Sequence, residues 1–108
     1  MPETNIFSAA AKLDDAPAMK KLLAHVPEPY AGQLRESLRP GASGRAFHFH
    51  DESRTARLTV CNGDMAMMFT VTDVSRDEAK AIATECESIH EWGESRFQQA
   101  VKRALNLE

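Results

Sequence analysis

The chain predicts an α+β domain in which short helices precede a three-stranded antiparallel meander, itself packed on C-terminal helices. Two observations carry that reading. Residues 44–73 divide into three alternating segments with turn residues between them, and a capping box at Ser75 opens a helical pattern directly after. The predicted order is α-α-α-β-β-β-α-α over one domain, residues 1–108. Its parts are a helical section at 1–39, the meander at 44–73 and C-terminal helices at 75–106.

Three short helical patterns come first, punctuated by prolines. The first covers 5–13. The second is capped by Asp15, with Pro17 early and Met19, Leu22, Leu23 and Val26 as its apolar positions. The third covers 28–39, with Tyr30, Leu34 and Leu38 at helical spacing. Pro27, Pro29 and Pro40 mark the breaks, and the segment 40–44 is a turn too short to separate domains.

The first strand of the meander is 45–50, the turn 51–54, and the second strand 55–61. Asn62-Gly63 is the dipeptide of a two-residue type I′ turn, and a third strand follows over 64–73. Both hairpin registers place Phe47, Phe49, Ala56, Leu58, Met67 and Phe69 on one face. A slip of one residue would scatter them, so the apolar pattern fixes the pairing. The opposite face carries His48, His50, Thr55, Arg57, Thr59, Met68, Thr70 and Thr72, and His48 is expected to face Arg57 across the strands.

After the meander, Ser75-Arg-Asp-Glu78 has capping-box spacing. Ala79, Ile82, Ala83, Cys86 and Ile89 form the stripe expected to cover the phenylalanine face. Trp92-Gly93 interrupts, and a last helix presents Phe97, Ala100, Val101, Ala104 and Leu105.

At 108 residues the chain is long enough to bury a core without a disulfide or a metal. Its net charge of −3 argues against bulk attraction to nucleic acid or anionic lipid. The charge is nonetheless polarised: residues 35–57 sum to +2 and residues 77–94 to −5. Cys61 and Cys86 read as reduced thiols of a cytoplasmic protein. No basic-apolar leader opens the sequence and nowhere do eighteen apolar residues run together, so no membrane association is expected.

Chemistry-bearing patterns are few. His48 and His50 project from one strand face, and Cys86 and His90 have helical ligand spacing, but the two pairs are expected on different faces and therefore form no joint zinc site. The His48-Phe-His-Asp-Glu52 string lacks the distant ligands of a metal-dependent hydrolase. His90-Glu91 is followed by Glu94 where a zinc-protease helix needs histidine. Residues 41–44 neither match a nucleophile elbow nor follow a strand. No phosphate loop or dinucleotide fingerprint occurs. The expectation is a non-enzymatic chain with no cofactor and no metal, a zinc-binding protein or small hydrolase being the less favoured alternative.

Nucleic acid is the alternative partner, through Arg45, Arg54, Arg57, His48 and His50. The order helix, three strands, helix also occurs in double-stranded RNA-binding domains, but acids intrude in Ser75-Arg-Asp-Glu-Ala-Lys80 where such a domain needs basic side chains. The favoured expectation is a small acidic protein-binding module of regulator, inhibitor, adaptor or chaperone type. It would act as a homodimer through its polar sheet face or the edge of its third strand, with His48, His50, Arg57, Thr59, Met68 and Thr70 touching the partner.

Overall fold

The computed structural model describes residues 5–38 and 43–106. Their elements are β1 (Ile6–Lys12), α1 (Ala16–Leu23), α2 (Tyr30–Ser37), β2 (Ser43–His50), β3 (Thr55–Asn62), β4 (Met65–Thr72), α3 (Arg76–Cys86) and α4 (Glu94–Ala104). The sheet has four strands in the order β1-β4-β3-β2, not the expected three.

The added strand is the segment expected to be the first helix. Ala9-Ala10-Ala11 favours a helix on intrinsic propensity, a preference that a tertiary partner readily overrides. That partner is β4, which is apolar on both faces and would otherwise leave a row of amides and carbonyls open. The Thr72 amide donates to the Asn5 carbonyl at 3.0 Å and the Leu13 amide to the Asp64 carbonyl at 2.7 Å, so β1 runs antiparallel along β4. The edge of the third meander strand, expected as a docking edge, is therefore occupied by the chain itself. The outer strands are β1 and β2.

The second hairpin turns one residue later than expected. Asn62 ends β3, and Gly63 and Asp64 form the turn, with Gly63 at φ +65. Glycine in the first central position suits a type II′ turn, whose twist matches the strands as a type I′ turn's does. Because the turn moves by one residue, the opposition moves by two along β4, toward Leu58 beside Phe69. Side-chain parity is preserved, so the expected faces survive.

The chain divides into two compact units, one of residues 9–46 and 59–68, the other of 1–8, 47–58 and 69–108. In the first, α1 is capped by Asp15, whose Oδ1 accepts the Ala18 amide at 3.1 Å, with proline in its first turn. Leu22, Leu23, Val26, Ala31 and Leu34 pack with Ala11, Leu13, Cys61, Ala66 and Met68 into one core. The end of the third expected helix, at Arg39, and Pro40-Gly41-Ala42 of the connecting turn lie outside the described residues.

The second unit holds α3 and α4. The capping box is present: Ser75 Oγ accepts the Glu78 amide at 3.1 Å and Glu78 Oε1 accepts the Ser75 amide at 2.8 Å. Phe69 stacks on Phe97 of α4 at 5.4 Å between centroids and on Trp92 at 5.7 Å, and Arg76 at the start of α3 lies over the Phe49 ring. Both helices thus lie on the phenylalanine face, as the apolar stripes predict. Phe69, Phe97, Leu58, Ile82, Val71, Val74 and Val101 are its largest fully buried side chains.

Candidate functional site

The other face of the second unit is built by strand register alone. Asn5 opposite Thr72 places Phe7 opposite Thr70. The two-residue turn places Asn62 opposite Met65, and hence Arg57 opposite Thr70. The four-residue turn at 51–54 places His50 opposite Thr55, and hence His48 opposite Arg57. Phe7, Thr70, Arg57 and His48 therefore form one row across β1, β4, β3 and β2, with His50 one step along β2 on the same face.

The six residues expected at a partner surface separate into two groups. His48, His50 and Arg57 are half-buried, and the Nε and Nη1 of Arg57 lie below the surface. Thr59, Met68 and Thr70 are each only 2% exposed. Met68 belongs to the core beneath α1 and α2 and is not part of an adaptable partner surface. Thr70 sits between the larger side chains of its row. Thr59 Oγ1 is buried and makes no hydrogen bond.

The residue that sequence reasoning missed is Phe7. It is 45% exposed and is the large exposed apolar side chain among the described residues. As part of an expected helix it had no place on the sheet. The one available signal was the two-sided apolar character of β4, which calls for a neighbouring strand.

Electrostatically the row is less cationic than its composition implies. Burial holds the His48 imidazole below the ordinary histidine range, and the nearby charges of His50 and then Arg57 push it further the same way. The two imidazoles lie 6.4 Å apart, and His50 Nδ1 is 2.9 Å from Ser53 Oγ. The face thus combines a largely buried guanidinium, an imidazole of lowered basicity at position 48 and an exposed phenyl ring.

No protein-family model, curated protein or solved structure matches the chain. Among the described residues no three His, Cys, Asp or Glu side chains gather as a metal site. Cys61 and Cys86 are buried and neither is in a disulfide, and burial raises the Cys61 pKa. Among those residues, too, no helix is long and apolar enough to cross a membrane.

Proposed function

We propose that this chain is a small non-enzymatic protein-binding module, of regulator, adaptor or inhibitor type, acting in the cytoplasm. Its partner docks on the sheet face formed by Phe7, Arg57, His48 and His50. The exposed Phe7 ring, standing in register with Arg57, is the observation that carries this reading. Aromatic and arginine side chains are the types that anchor protein interfaces, where a flat ring gives contact area and a guanidinium gives direction.

The sheet-face row also bears on the nucleic-acid alternative. A phosphate-binding face needs several cations, whereas His48 is held neutral beside Arg57. A partner bearing an apolar side chain for Phe7 fits better.

The test is nuclease-treated affinity capture from the native lysate, comparing the wild-type chain with Phe7→Ser/Arg57→Glu at matched folded fraction. A discrete protein retained by the first and lost by the second supports the sheet face. Equal retention by both, or retention that nuclease abolishes, overturns it.

A further inference from the structure

The unit of residues 9–46 and 59–68 carries a second surface that owes nothing to the sheet face. Rows from α1 and α2 bound a groove of about 590 Å³. On α1 the row is Ala16, Met19, Leu23, spaced i, i+3, i+7; the other side has Ala31 of α2 and Leu38 just past its end, and Leu13 and Val26 also line the space. Ala16, Ala24 and Ala31 contribute little bulk, which leaves room for a backbone to approach between the helices.

Charge marks the rim. Lys20 stands on the α1 side and Arg35 on the α2 side, both exposed. Among the described residues, Glu28 supplies the carboxylate that lines the groove. It lies 3.7 Å from Arg35, and its other oxygen accepts the Gly32 amide at 3.2 Å. The Arg35 pair is long and solvent-exposed, with both side chains more than half accessible. Such a pair is easily exchanged for a better-placed carboxylate.

We infer that this groove receives an amphipathic helix from a partner protein, with acidic side chains flanking its apolar stripe. Apolar walls made of two helical rows suit the i, i+3, i+4, i+7 anchors of a docked helix. Cations on both walls select acidic flanks, so that one carboxylate meets Lys20 and another displaces Glu28 from Arg35.

The experiment uses the whole chain and two synthetic peptides of about 18 residues, roughly five helical turns. Both carry leucine at the anchor spacing, one with flanking glutamates and the other with flanking lysines. Binding is read by fluorescence anisotropy, and the site by amide shifts in ¹⁵N-labelled protein. The expected result is saturable binding of the acidic peptide, about tenfold tighter than the basic one at low salt, with shifts centred on Met19, Leu23, Ala31 and Leu38. Lys20→Glu should erase the preference for acid, and Ala24→Trp, which fills an exposed groove position, should block both peptides without unfolding the chain.

Equal affinity for the two peptides, or shifts away from α1 and α2, overturns the proposal. So does dodecanoate binding in the groove when neither peptide binds, since the occupant would then be a lipid-like amphiphile. Phe7→Ser/Arg57→Glu should bind the acidic peptide as the wild type does, which separates this result from that of the sheet face.

Discussion

Leu13 donates its amide to the Asp64 carbonyl at 2.7 Å, and the register this sets gives two neighbouring alanines unequal roles. With positions 13 and 64 opposite and hydrogen-bonded, the odd residues of β1 turn their amides toward β4 and the even residues turn theirs outward. Ala9→Pro should therefore remove a ladder bond and cost about 1–3 kcal/mol, whereas Ala10→Pro should cost less than about 1 kcal/mol. Urea unfolding of the two variants distinguishes them. Equal losses would contradict the register of β1.

Phe69 is sandwiched by ring contacts to both Phe97 and Trp92. Phe69→Ala should destabilise the chain by about 3–5 kcal/mol, through lost burial and the cavity left behind. Trp92 provides an internal reporter, and its emission should shift to the red in the native baseline of the variant. An unchanged spectrum would mean that the two rings do not touch in solution.

His48 gives the fold an acid limit. Its folded pKa is depressed by burial, His50 and Arg57, so the unfolded chain binds the proton more readily than the native one. Its contribution is fully present above the ordinary histidine value of 6.5 and is lost as the pH falls from there through the lower folded value. His48→Gln should flatten that part of the stability curve. A wild-type curve equally steep in the variant would place the acid sensitivity elsewhere.

The two side-chain caps are separable tests of helix entry. Ser75→Ala removes the Oγ that holds the Glu78 amide, and Asp15→Ala removes the Oδ1 that holds the Ala18 amide. Each should cost about 1 kcal/mol. Hydrogen exchange should quicken in the first turn of α3 for the former and of α1 for the latter, and a uniform acceleration across both helices would argue against local capping.

The meander and the capping box were legible because each has a local signature. Alternation over 45–50 and 55–61 needs only the pleat, and Ser75 with Glu78 needs only one helical turn. The strand β1 was not legible, because its alanines carry no alternation and its partner lies far along the chain. That one misreading also hid Phe7. The burial of Met68 had a plain physical origin as well: α1 and α2 are short amphipathic helices, and their leucines need an apolar floor, which Ala66 and Met68 supply. His48 opposite Arg57 was foreseen from register, although burial depresses its pKa more than either neighbouring charge.

The pairing of β1 with β4 also orders events in time. During synthesis the alanine-rich segment emerges before β3 and β4 exist, when local preference alone decides its shape, and local preference there is helical. Closing the sheet then requires that segment to pair with a distant strand, a non-local step that is intrinsically slow. Until it is complete, β4 presents an open apolar edge, and a newly made chain is at its most adhesive during that interval.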